Sequence, residues 1–355
     1  MNANDTFLSL NEFDSFAQKY LVDWENKSTV RSQKRSRLQK EAIPEIIFPF
    51  FIKSYLKYPE VKALTNEHLA PFYLQSLCDM LNGVTQFEVN FVVDQCGKLA
   101  NKDLGLELSD AIKQVAIAIG TDEMYHAFVA RELLADIKAL TGVTPTVYNK
   151  PPAPVVEEEP VLAKNEEEKL VQPVMVPPLE YFKSAVTPEL MPIAEATLLC
   201  ILENAVVDDF FELAKDSKNN NPVSIYNREH LHDEGRHKVF FQRLLKYIWT
   251  NISEDDRVIL GKAVAGYFEK YFMPNDLEKV AEFHKKSLAK LGISEDSAKH
   301  IAKQVIDEGS QVPHYAKDHV RNPMRLMEYA GLTQHQPTQQ LFLKLGLLED
   351  LFELA

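Results

Sequence analysis

Glycine, cysteine and net positive charge are all in short supply in this sequence, and each shortage narrows what the chain can be. Only 12 of 355 residues are glycine, while long stretches rich in Leu, Ala, Glu and Lys favour helix. The three cysteines, Cys78, Cys96 and Cys200, are far apart and odd in number, which argues against a disulfide framework and for a reducing cytoplasm. The formal net charge is -13, so no nucleic-acid partner is expected, because phosphate recognition needs a basic face. The opening "MNANDTFLSLNEFDSF" has no basic stretch leading into an apolar one, as a secretory signal would. No apolar run approaches a membrane span; the longest candidate, "IPEIIFPFFI", is short and broken by proline. Alternating strand patterns and solenoid repeats are missing too. An all-α chain, with residues 1–355 forming a single helical domain, is the reading that remains.

The basic run "RSQKRSRLQK" at 31–40 reads as a solvated helix face. A long helix is predicted over about 67–98. A second is predicted over about 107–140, where Ile112, Val115, Ile119, His126, Val129 and Leu133 recur at helical spacing. Residues 144–178 then carry eight of the 19 prolines and two glutamate triplets, and read as an inserted loop or linker. Helix resumes near Pro188 and continues through "AEATLLCILENAVVDDFFELAKD". The turn "NNNP" at 219–222 ends it and opens another helix running to about Thr250, after which shorter helices follow.

That last helix carries "HLHDEGRH" at 230–237. At about 100° per residue, His230, Glu234 and His237 fall on one face, with Tyr226 and Phe241 extending it. His232 and Glu229 point elsewhere. One such pair is weak evidence, but Asp-Glu-x-x-His occurs twice, at 122–126 and at 233–237. Glu123 and His126 interrupt an apolar stripe, where an ionised carboxylate is costly unless something neutralises it. Glu88, between Val84 and Val92, and Glu203, between Leu199 and Val207, stand on their helices in the same way. Four helices thus supply Glu88, Glu123 with His126, Glu203, and His230 with Glu234 and His237. This is the donor arrangement of a dinuclear carboxylate centre in a four-helix bundle. Two divalent ions would balance four carboxylates. Asp122 and Asp233 are placed to accept the far N–H of a ligand histidine on the neighbouring helix. Oxygen and nitrogen donors without cysteine suit iron or manganese. Cys200, one turn before Glu203, reads as packing. So do Tyr125 and Tyr226, and Arg236 reads as a surface salt bridge.

The order Glu88, Glu123-x-x-His126, Glu203, His230-x-x-x-Glu234-x-x-His237 resembles the p-aminobenzoate N-oxygenase family of diiron proteins. The distinguishing residue is His230, a third histidine one turn before the last glutamate. The resemblance covers roughly residues 60–250. The segment 144–178 departs from it by its length, and lies between the second and third ligand helices. The resemblance implies a ferritin-like four-helix bundle core with additional N- and C-terminal helices. It also implies two iron ions, dioxygen as co-substrate and an external two-electron donor. The reaction would oxidise a small amine to a hydroxylamine and further to nitroso or nitro, in secondary metabolism. Competing readings keep the site but change the reaction to C-hydroxylation, desaturation or oxidative cleavage, or make the chain a non-enzymatic iron-binding bundle. No membrane partner is expected; a homodimer is the expectation for assembly. The substrate and the source of electrons are not written in any motif.

Overall fold

The computed structural model describes residues 8–32, 37–46, 48, 55–101, 104–146, 176–205, 221–272, 277–307 and 314–348. The fold is all-α, and no strand occurs among the described residues. Helix α1 spans Leu10–Lys27 and α2 Thr29–Ser32. After a short 3-10 helix at Lys40–Glu45 and a helical turn at Pro59–Lys62, α3 spans Asn66–Phe87. It runs through a π-helical turn, Glu88–Val92, into α4, Val93–Asn101. Then follow α5 (Asp110–Thr141), α6 (Val176–Ala185), α7 (Met191–Ala205) and α8 (Pro222–Asn251). The C-terminal part adds α9 (Glu254–Tyr271), α10 (Leu277–Lys290), α11 (Glu295–Asp307), α12 (His314–Ala330) and α13 (Gln336–Lys344). No helix is long and apolar enough to cross a membrane among the described residues.

Local chemistry sets the ends of the long helices. Ser109 caps α5, its hydroxyl accepting from the Ile112 N–H, and Gly142 closes it at φ 76°, a left-handed conformation that glycine adopts without strain. The α8 start is as the turn signal predicts. Asn221 accepts the Ser224 N–H at 2.9 Å and Pro222 takes the first helical position. Residues 219 and 220 of that turn lie outside the described residues, as do 206–218, with Val207, and 147–175 of the proline- and glutamate-rich stretch. The far end of that stretch needs correcting: residues 176–178 already belong to α6. The restart near Pro188 is a turn, with α7 beginning at Met191.

Helix α5 is the centre of the packing. It lies against α3, α4 and α8, while α1 and α2 cover it and α8 from outside; α7 packs on α8 and α4. At Gly120 a Cβ would sit 3.3 Å from Cys96, so its absence lets α4 approach α5 closely. The apolar interior forms two clusters. One takes Ile112–Ile119 of α5 and Phe240–Ile248 of α8; the other takes Val129–Ile137 of α5 and Val223 and Tyr226 of α8. Between them both helices carry polar side chains, all buried: Asp122, Glu123 and His126 on α5, and His230, Asp233, Glu234 and His237 on α8. The core is therefore two apolar halves divided by a polar layer.

Candidate metal centre

The polar layer gathers all seven side chains singled out in the sequence, none more than 2% exposed. Glu88, Glu123, His126 and His230 each bring a donor atom within 4.8 Å of the others, and so do Glu123, Glu203, Glu234 and His237. The two groups share Glu123. No other cluster of this kind occurs among the described residues. The helices contribute as predicted, with one refinement. Glu88 opens the π turn, where the Val93 N–H donates to the Glu88 carbonyl and the helix carries one residue more than an α turn.

The groups interlock. His237 Nδ1 lies 2.7 Å from Glu123 Oε1, and His126 Nδ1 lies 3.5 Å from Glu123 Oε2. Glu234 Oε1 is 3.1 Å from His230 Nε2, 3.7 Å from His237 Nδ1 and 3.9 Å from His126 Nδ1. Glu123 and Glu234 thus touch both groups, while Glu88 and Glu203 close opposite ends. Nitrogen is distributed unevenly: His126 and His230, their rings stacked 4.1 Å apart, belong to one group and His237 to the other.

A fit test for cations comes from unmet valence. Glu88 Oε2, Glu123 Oε1, His126 Nδ1, Glu203 Oε2, Glu234 Oε2 and His237 Nδ1 are buried without a hydrogen bond. Two of these atoms, Glu123 Oε1 and His237 Nδ1, face each other at 2.7 Å. Buried polar atoms are rarely left so, and six converging on one layer is the signature of acceptors that await a positive charge. Four carboxylates against two divalent ions balance, and the buried carboxylate and imidazole clusters can hold metal ions.

The other face of each histidine is fixed. His126 Nε2 donates to Asp233 Oδ2 at 3.1 Å, and His237 Nε2 donates to Asp122 Oδ2 at 3.3 Å. Each aspartate sits on the helix opposite its histidine, as expected from the duplicated motif. Donation through Nε2 leaves Nδ1 bare toward the layer. His230 is turned the other way, with Nδ1 3.1 Å from the Tyr226 hydroxyl and Nε2 facing Glu88 and Glu234. Tyr226 is therefore a partner of the site and more than packing.

Arg236 also corrects its sequence reading. Its side chain is 13% exposed and spans both aspartates, 2.5 Å from Asp233 and 3.3 Å from Asp122. Further support comes from α1 and α2, which the sequence did not mark. Asp122 accepts from Trp24 Nε1 at 2.9 Å and Ser28 Oγ at 2.5 Å, and Asp233 accepts from the Thr29 hydroxyl. His232 is exposed and bonds Arg236, and Glu229 is half-buried outside both donor groups. Cys200 is buried, with burial and then Glu203 pushing its thiol well above the usual range, in keeping with packing.

Without cations the layer holds protons. Burial, then Glu123, raises the Glu88 carboxyl well above the usual carboxylate range; burial, Glu123 and Glu234 do the same to Glu203. Burial opposes charging His126 and His237, yet Asp233 and Glu123 around His126, and Tyr20, Glu123 and Asp122 around His237, prevail and both are raised well above an ordinary imidazole. Burial, then His126, lowers His230. Burial would raise Glu234, but the imidazoles of His230 and His237 hold it below the usual range.

Between α4 and α7 lies a cavity of about 190 Å³, lined by Gln95, Leu99, Met191 and Leu199 among others, with Lys98 and Glu195 paired at 3.3 Å on its wall. It sits seven residues along from Glu88 and four before Glu203. In comparisons with known proteins the chain matches no family model and no curated sequence, so the reading of this centre rests on its own geometry.

Proposed function

We propose that the chain is a diiron oxygenase that oxygenates the nitrogen of a small amine. The observation that carries this reading is the seven-donor layer with its uneven nitrogen supply, two imidazoles in one group and one in the other. Two ferrous ions held there would supply, together, the two electrons that dioxygen needs, and an external two-electron donor would restore them. The chain's own part is positional. Glu123 and Glu234 reach both groups and can hold two ions at a fixed separation. Asp122 and Asp233 fix which histidine nitrogen faces inward, and Arg236 spans both aspartates and ties the two helices together. The apolar halves above and below exclude water. The cavity between α4 and α7, on the helices that follow Glu88 and carry Glu203, is the candidate pocket for a small substrate, with the Lys98–Glu195 pair on its wall. The helices bearing the donors are read as a ferritin-like core.

The same layer would serve C-hydroxylation or desaturation, since substrate choice resides in the cavity lining and not in the donors. Iron handling is the weaker reading, because a third nitrogen donor backed by Tyr226 builds a retained centre. Metal analysis of protein loaded anaerobically with ferrous iron tests the first step, with two ions per chain expected and a maximum of one overturning it. Dioxygen uptake, followed by mass spectrometry on an amine panel, tests the second. Oxygen gained at carbon alone would replace N-oxygenation with the alternative.

A further inference from the structure

The two aspartates behind the layer are matched almost donor for donor. Asp122 pairs with His237, and Asp233 with His126. Each accepts from a hydroxyl where α1 gives way to α2, Ser28 for Asp122 and Thr29 for Asp233. Each also accepts from Arg236. One partner breaks the symmetry. The Trp24 indole N–H lies 2.9 Å from both carboxylate oxygens of Asp122, and among the described residues Asp233 bonds no indole. Asp122 does not need this donor, since Ser28, Arg236 and His237 already satisfy it. What the indole adds is an oxidisable ring in a particular place. Trp24 is half-buried on α1, which covers α5 and α8 from outside, whereas Asp122 and His237 are fully buried. Trp24, Asp122 and His237 therefore form a hydrogen-bonded line from the surface to the layer, ending at His237 Nδ1. The other two histidines are backed differently. Behind His126, Asp233 meets Thr29 and Arg236, which are not oxidisable, and behind His230 stands Tyr226, only 2% exposed.

We propose that Trp24 is the point at which electrons from the external donor enter the metal layer, passing through Asp122 to His237. This rests on the diiron reading above, which requires ferric ions to be returned to the ferrous state. An electron crosses a protein far faster along covalent and hydrogen bonds than through the gaps of a packed core, and this line has two hydrogen bonds and no gap. At each transfer the donor loses one electron and one ferric ion becomes ferrous, so two transfers restore the pair. Trp24, Asp122 and His237 are unchanged at the end. The route enters through the group that holds one imidazole, and leaves the group with His126 and His230 apart from the electron path.

The test is anaerobic stopped-flow reduction of the ferric-loaded full chain by reduced flavin mononucleotide, which is too bulky for the cavity between α4 and α7. Loss of the ferric absorption gives the rate, and iron count and reduction potential are measured on the same samples. Trp24→Phe keeps an aromatic ring but removes the N–H. It should slow reduction by about tenfold or more, with two ions still bound and the potential unchanged. Ser28→Ala is the control, because it removes another donor to Asp122 and leaves the indole in place. It should reduce at the wild-type rate. Wild-type speed in Trp24→Phe overturns the route. So does an equal slowing in Ser28→Ala, or a slowing that follows a shifted potential, since either would make Trp24 only a prop for Asp122. A chain that never binds two ions removes the diiron reading and this proposal together, whereas two ions reduced at full speed in Trp24→Phe remove the route alone.

Discussion

At the scale of single residues, the centre separates side chains that face the layer from those that only sit near it. His230→Ala should retain six donors and the fold, with metal content falling in part and the optical spectrum of the loaded protein changing. His232→Ala, exposed and two positions away, should alter neither. Glu123→Ala should cost most of the metal, since this carboxylate serves both groups, whereas Glu229→Ala should cost none; elemental analysis of the folded variants decides. Arg236→Met leaves two buried aspartates without their shared cation. It should weaken metal binding by about 10- to 100-fold in a competition assay. Protonation gives a further test. Glu88, Glu203, His126 and His237 all hold their protons more tightly than usual in the metal-free chain, and each must release its proton to bind a cation. Loading should therefore acidify an unbuffered solution, and apparent affinity should rise with pH. The linked stability has the same sign. A raised pKa stabilises the metal-free fold below the unfolded value and is lost as pH rises through the folded one. The metal-free chain should thus lose these four contributions on going from acid toward alkaline pH, while the loaded chain should not. The seven donors were legible because an ionisable group on an apolar helix stripe is conspicuous. Trp24, Ser28, Thr29 and the inward turn of Arg236 were not. They reach the aspartates from residues 94 or more positions away, or by a bend of a long side chain, and no local pattern encodes either.

At the scale of elements, helix ends were legible where chemistry marks them and silent elsewhere. Ser109, Gly142, Asn221 and Pro222 stand at the ends of α5 and α8 as their types predict. Ser109→Ala should lower stability by about 1 kcal/mol in denaturant unfolding. The short α6 was concealed by the prolines at 177 and 178, which a first helical turn tolerates. The π turn at Glu88–Val92 left no trace in the periodicity, because one extra residue shifts a helical pattern by about 100° and apolar residues populate both registers. Its role can be tested by deletion. Removing the exposed Asn90 should convert the turn to regular α-helix and rotate Glu88 relative to α4. One ion per chain should then be lost, with the helical circular dichroism signal largely kept.

At the scale of the molecule, the all-α class followed from composition, but the arrangement of two apolar halves around one polar layer did not. It depends on which helices meet, and their pairing is carried by side chains distant in sequence. That layering makes the cations a determinant of cooperativity. Helices α5 and α8 pass through both halves, yet between Asp122 and His126, and between His230 and His237, they are joined through a buried polar layer in which six side-chain atoms of the centre have no hydrogen bond. In the loaded chain the two halves should melt together in one calorimetric transition, and amides in the layer should be among the slowest to exchange with deuterium. In the metal-free chain the layer becomes a seam. Exchange should start there, faster than on either side, and the halves should part in two steps, so that a metal held in the layer would decide whether this protein unfolds as one body or as two.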